Sequence, residues 1–249
     1  MSINLNLEKS VSSLKLSLEK VGVMSPPALD VAFFMDVSGS FHDEHVDGVT
    51  DSLLTRLVPW GLTFDPDKKM DVFTFSDGAG SVQEVGMIDA QNYYGFVQNK
   101  IIEKVPGYFG GTAYSHSIER ALEHFGWADK VKKAGFLGGL FGKKDEVIKG
   151  AKKRSLVIIA TDGDNNERGD KQRTMEVLRA SEARGDQVYY LFLGISNQDT
   201  SFDFLKGLGD AFNNTGFLHI RDLRQFVDQS DDDLNAALIN EELVTWLKA

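Results

Sequence analysis

The 249-residue chain contains no cysteine, which excludes disulfides and thiolate metal sites and suits a reducing compartment. No apolar run approaches the roughly 20 residues that a membrane-spanning helix requires. The first ten residues, MSINLNLEKS, lack a basic stretch followed by an apolar one, so no secretory signal is read there. Basic charge is also in deficit: 27 Lys and Arg against 37 Asp and Glu give a formal net charge of −10. That balance disfavours a nucleic-acid partner, which calls for a basic face, although an acidic surface also serves solubility alone. The expectation is a cytoplasmic protein that contacts no nucleic acid. What is present, 42% hydrophobic and 26% charged residues, fits one large α/β domain or two small ones.

The leader holds a short echo, LNLEK at Leu5–Lys9 and LSLEK at Leu16–Lys20. Leu5 and Leu7, then Leu14, Leu16 and Leu18, alternate as strand residues do, while Val11, Leu14, Leu18 and Val21 match a helical stripe. The two periods conflict; short strands are favoured, giving an N-terminal β extension over residues 1–27. SPPALD (Ser25–Asp30) closes it as a linker, because paired prolines forbid helix. Residues 28–249 form the main domain. There, apolar strands at Val31–Met35, Met70–Phe75, Ser81–Val85, Leu156–Ala160, Val188–Leu193 and Gly216–Ile220 alternate with helical segments. The helices are expected near His42–Leu57, Ala90–Lys104, Tyr114–Phe125, Gln172–Arg184, Phe202–Gly209, Leu223–Gln229 and Leu234–Leu247. Such alternation predicts a doubly wound, mostly parallel sheet covered by helices on both faces, with ligands beyond the carboxyl ends of its strands.

The first of those strands runs directly into oxygen. LDVAFFMDVSGSF (Leu29–Phe41) places Asp36, Ser38 and Ser40 at every second residue, with Gly39 available to gather them in a turn. One carboxylate and two hydroxyls suit Mg²⁺, Mn²⁺ or Ca²⁺ rather than a soft metal, and further donors must come from other strand ends. SLVIIATDGD (Ser155–Asp164) ends a second buried strand in Asp162. YFGGTAYSHSIERAL (Tyr108–Leu122) sets Thr112 after two glycines at a helix start.

Together, Asp-x-Ser-x-Ser at Asp36, Ser38 and Ser40, Gly-Gly-Thr at Thr112 and Thr-Asp-Gly at Asp162 resemble the von Willebrand factor A (VWA) domain over about Leu29–Ile220. The LxLEK leader followed by PALDVAFFMDVSGSF resembles the bacterial tellurium-resistance TerF type, in which a short TerD-like segment precedes an A domain. The resemblance implies a six-stranded, largely parallel sheet with one antiparallel edge strand and a metal-ion-dependent adhesion site, or MIDAS. It implies that Ser38, Ser40 and Thr112 ligate a divalent cation, Mg²⁺ first and Mn²⁺ or Ca²⁺ as alternatives. Asp36 and Asp162 would ligate it or hold its waters and orient the serine hydroxyls. A protein partner would then offer a Glu or Asp to the ion, in a tellurite- or stress-response complex with other Ter-type proteins. That is a non-enzymatic interaction module; the alternative is a metal-dependent hydrolase or a regulatory subunit of an AAA+ or chelatase-type machine.

Blander readings bound this one. Asp162, Asp164 and Asn166 mimic the start of an EF-hand loop, but Glu167 stands where glycine is needed and Arg173 where glutamate is; Asp164 is at most an outer residue. His42 and His45 are spaced for a helix face, read as a solvated helix start rather than a zinc pair, and His116 could line the site rim. Ser38 and Ser40 lack the frame of a nucleophile elbow, and GGLFGKK lacks the spacing of a phosphate loop. The basic, glycine-rich segment Trp127–Arg154 is read as an insertion. It is a solvent loop, a docking element through Phe136, Leu137, Leu140 and Phe141, or a membrane contact over residues 135–142. The acidic run at residues 231–247 is expected to be one capped surface helix, its Asp231–Asp233 at the positive end.

Overall fold

A computed structural model describes residues 2–132, 146–163, 165, 167–196 and 201–249. Its strands are β1 (Asp30–Asp36), β2 (Met70–Phe75), β3 (Gln83–Ile88), β4 (Lys130–Lys132), β5 (Glu146–Ile148), β6 (Ser155–Thr161), β7 (Val188–Ile195) and β8 (Thr215–Ile220). Its helices are α1 (Ser2–Lys20), α2 (His42–Val46), α3 (Val49–Phe64), α4 (Phe96–Lys100), α5 (Ser115–His124), α6 (Asp170–Arg184), α7 (Asp203–Ala211), α8 (Leu223–Val227), α9 (Asp231–Leu238) and α10 (Glu241–Lys248).

The apolar runs sort themselves by side-chain period. In β1, Val31, Phe33 and Met35 enter one apolar cluster and Ala32 and Phe34 enter the other. In β6, Leu156, Ile158 and Ala160 oppose Val157 and Ile159 in the same way. Strands buried on both faces demand helices on both faces. One face is covered by α1, α3, α4 and α8–α10, the other by α5, α6 and α7. The sheet order is β3-β2-β1-β6-β7-β8, parallel except for β3, which runs antiparallel on β2. This is the six-stranded VWA-type α/β architecture. The strand order reverses beside β1, so the carboxyl ends of β1 and β6 lie next to each other at the switch point.

The leader overturns one expectation. It is helix α1, not a β extension: Leu7, Leu14 and Leu18 are buried on one face while Leu16 is exposed. A seven-residue spacing followed by four keeps three leucines on one helical stripe, and tertiary burial of that stripe against α3 decides the conflict. Ser10 and Ser13 donate to Asp231 and Asp232, and Arg56 pairs with Asp231 at 2.6 Å. The triple-aspartate start of α9 is therefore held by α1 and α3.

Three predicted helices differ in extent. The 42–57 segment breaks at Gly48 (φ +75°) and resumes as α3, which continues through Pro59. Of Ala90–Lys104 only Phe96–Lys100 is helical. The C-terminal segment divides at Asn240, whose side chain accepts from the Leu243 amide to start α10.

The insertion begins and ends as an antiparallel neck, β4 on β5. Trp127 Nε1 donates to the Lys153 carbonyl at 2.7 Å, Lys152 sits over the Trp127 ring, and Lys153 pairs with Asp30. Phe136, Leu137, Leu140, Phe141 and the 135–142 membrane reading lie outside the described residues. No described helix is long and apolar enough to cross a membrane.

Candidate metal centre

Beyond the end of β1, the Asp36 carboxylate turns back to accept from the Ser38 amide at 2.8 Å. This local bond fixes the loop that carries Ser38 and Ser40. The loop holding Thr112 is stitched alongside: Phe109 donates its amide to Val37 at 2.9 Å, and Gly39 donates to Gly110 at 3.1 Å. Gly110 is required there, because a Cβ would lie 2.6 Å from Ser76 Oγ and 2.7 Å from Asp77 Oδ1. The third loop follows β6, whose pairing with β1 carries Asp162 to the same edge.

The structure brings all five predicted side chains together. Thr112 Oγ1 donates to Asp36 Oδ2 at 3.2 Å. Ser40 Oγ donates to Asp162 Oδ1 at 3.0 Å, Ser38 Oγ does so at 3.3 Å, and the two serine hydroxyls are 3.3 Å apart. A sixth residue joins them: Thr161 Oγ1 donates to Asp36 Oδ2 at 2.6 Å. Sequence reading used Thr161 only as part of a motif, although an inward-facing hydroxyl at the end of an apolar strand was a usable signal. Gly163 lies beside the cluster: a Cβ there would stand 3.6 Å from Thr112 Oγ1 and 4.0 Å from Ser40 Oγ, ordinary contacts.

Two carboxylates face each other across these hydroxyls. Burial raises Asp36 to about 6 against four stabilising hydrogen bonds. Burial, then the Asp36 charge, raise Asp162 to about 7, with Glu44 adding to the effect. Asp36 buried and Asp162 half-buried, brought together with no basic side chain bonded to either among the described residues, suit a cation. The donor set is hard oxygen throughout, and each hydroxyl can turn its lone pairs inward as readily as its proton. The residues present therefore fit a divalent cation.

His45 corrects the solvated-helix reading. It is fully buried, its Nε2–H donating to the Asp36 carbonyl at 3.0 Å and its Nδ1 lying 2.9 Å from Thr50 Oγ1. Burial lowers it to about 4, so it stays neutral and holds the root of the loop. His42 instead meets the Tyr108 hydroxyl at 3.1 Å; the two histidines do not share a ligand.

Sequence reading also missed a neighbouring group. His116, Glu167 and Asp170 offer ligand atoms within 4.8 Å of one another, which is compatible with a metal. Asp170, however, already accepts from the Tyr114 and Ser115 amides, the Ser115 hydroxyl, the Asn165 amide and Thr174. Arg173 adds a guanidinium 3.4 Å from His116 Nε2. This group fastens the start of α5 to α6 and so fixes the loop of Thr112. Asp164 and Asn166 lie outside the described residues.

A sheet of this order with acid- and hydroxyl-bearing loops at its carboxyl edge defines a VWA-type domain. More narrowly, the chain belongs to the vWA-TerF-like family, the vWA found in the TerF C terminus, whose sequence model matches residues 28–249. It is 25% identical over 252 residues to the uncharacterized protein YcbR of Bacillus subtilis strain 168, across 95% of this chain and 84% of that one. Among solved structures, proximal thread matrix protein 1 from the mussel byssus aligns with a TM-score of 0.50 at 17% identity, over 86% of this chain and 46% of that one. A second crystal form of it aligns at 0.47 and 18% identity, over 85% and 46%. This chain thus spans less than half of that protein, and the likeness is one of fold alone.

Proposed function

We propose that the chain is a metal-dependent protein-interaction module with a MIDAS-type centre. Asp36, Ser38, Ser40, Thr112 and Asp162 would hold the cation, Mg²⁺ first among hard divalent ions, with Thr161 orienting Asp36. When bound, the ion would act as a Lewis acid toward a carboxylate brought by a partner protein. The chain's own residues do the preparation: they desolvate two acids, align four hydroxyls, and anchor the three loops through Asp36, Asp170 and His45. The observation that carries this reading is the facing pair Asp36 and Asp162, both raised and both bonded by hydroxyls.

Membership of a TerF-like family supports placing the module in a tellurite- or stress-response assembly of cytoplasmic Ter-type proteins, with a partner Glu or Asp as the contact. Binding, rather than turnover, is the role assigned. Calorimetric titration with Mg²⁺ and Mn²⁺ tests the first step: wild type should give saturable heat and Asp36→Ala none. Equal heats for both would sink the proposal. Pull-down with and without chelator tests the second, and turnover of phosphoester substrates by the loaded protein would redirect the assignment to a hydrolase.

A further inference from the structure

The loop that carries Thr112 exposes a residue that the cation cluster does not use. Phe109 lies at φ +69°, a conformation that strains an L side chain and that glycine enters freely. The same loop does use glycine where it needs it, at Gly107 with φ +80°. Yet a phenyl ring stands at position 109, 54% exposed to water. His42 and Tyr108 rest against it, with ring centroids 4.7 and 4.8 Å away. Val46, one turn beyond His42 on α2 and therefore on the same side, is 52% exposed.

This aromatic group is built into the rim of the cluster. The Phe109 amide is bonded to Val37, and Gly110 pairs with Ser38 in a short parallel bridge. A chain that brings a carboxylate to Ser40 and Asp162 therefore passes beside Phe109. Two acids lie close by: Glu44 acts electrostatically on Asp162 and Glu103 on Tyr108, within a chain of net charge −10. A run of acids would be repelled there. A single acid with an apolar neighbour would not.

We propose that Phe109, with His42 and Tyr108, forms an aromatic subsite that takes a bulky apolar side chain flanking the acidic residue of a partner protein's peptide segment. This rests on the metal reading for the acid and names the residue beside it. Exposed strained aromatics set next to a polar anchor are well suited to such a role, because aromatic anchors dominate many interfaces.

The test uses three capped tripeptide amides, Gly-Glu-Gly, Phe-Glu-Gly and Glu-Glu-Gly, with the full chain in Mg²⁺, their affinities read by peptide-observed NMR. Phe-Glu-Gly should bind wild type roughly three- to tenfold more tightly than Gly-Glu-Gly, the range expected of one aromatic contact. Glu-Glu-Gly should bind no better than Gly-Glu-Gly. In Phe109→Gly the preference should vanish while Mg²⁺ heat and the melting temperature are kept, since glycine relaxes at that φ. Absence of the preference, or its survival in Phe109→Gly, overturns the subsite. So does a concentration-dependent dimer that Phe109→Gly abolishes, which would assign the face to a second copy. If Mg²⁺ gives no heat with wild type, the metal reading fails by itself, and the same peptide ratio in EDTA then decides the Phe109 subsite.

Discussion

Two buried acidic groups stand a few residues apart at the carboxyl edge of the sheet, and their donors differ in kind. Asp170 accepts from two backbone amides and an Asn side-chain amide, which can only donate, as well as from the Ser115 and Thr174 hydroxyls. Asp36 and Asp162 are held mostly by Ser and Thr hydroxyls, which can donate or accept. A carboxylate whose oxygens are taken up by fixed N–H groups is already satisfied and serves the fold. A carboxylate wrapped in hydroxyls and facing another carboxylate is poised for a cation. Proximity of acids alone does not separate the two cases; the chemistry of the donors does.

The sharpest break of that comparison is a pair of isosteric changes. Asp36→Asn should abolish measurable Mg²⁺ heat, yet leave the melting temperature of the metal-free protein unchanged or higher, because it removes a desolvated charge. Asp170→Asn should do the reverse, keeping Mg²⁺ binding while lowering stability by about 2–4 kcal/mol through loss of a buried network. Calorimetry and thermal melts read both, and matching behaviour of the two variants would erase the distinction. Next in size, Ser40→Ala and Thr112→Ala should each weaken Mg²⁺ by about 10- to 100-fold, while Thr174→Ala, on the Asp170 side, should not.

A pH series sharpens the same contrast. Asp36 and Asp162 are raised to about 6 and about 7 from 3.8, so between about 4 and 7 the folded chain holds protons that the unfolded chain has released. Their contribution to stability therefore falls as pH rises through that window. His45, lowered to about 4 from 6.5, works the other way below pH 6.5, so the decline is read as the difference between metal-free melts of wild type and Asp162→Asn. Mg²⁺ should cancel it, and Mg²⁺ binding near pH 6 should release protons, seen as buffer-dependent heat. A difference that does not change through the window, with no proton release, would contradict the assignment. The smallest effect expected is from Gly163→Ala, whose Cβ would meet Thr112 Oγ1 at 3.6 Å, an ordinary contact. Mg²⁺ affinity should change by no more than about threefold, a shift of under 1 kcal/mol.

Much of this was legible in the chain because buried strands announce themselves as apolar runs, and an acid after such a run is conspicuous. Asp36 and Asp162 were read that way, Ser38 and Ser40 from their alternation with Asp36, and Thr112 from the two glycines before a helix start; their order matched a known pattern. The leader was misread because its leucines fit both a period of 2 and one of 3.6; only packing of Leu7, Leu14 and Leu18 on α3 separates them. Asp170 was missed, and His45 read as a solvated helix residue, for another reason. Their roles depend on partners in other elements, Tyr114 and Ser115 for one and the Asp36 carbonyl for the other, and nothing in their local spacing announces these contacts.

The insertion's neck joins the sheet at the opposite pole from the carboxylates. Lys153 pairs with Asp30 where β1 begins, whereas Asp36 marks where that strand ends; seven residues of strand separate the two by about 20 Å. Substitutions at the neck and at the cation edge therefore act on opposite ends of one strand, and neither end leans on the other.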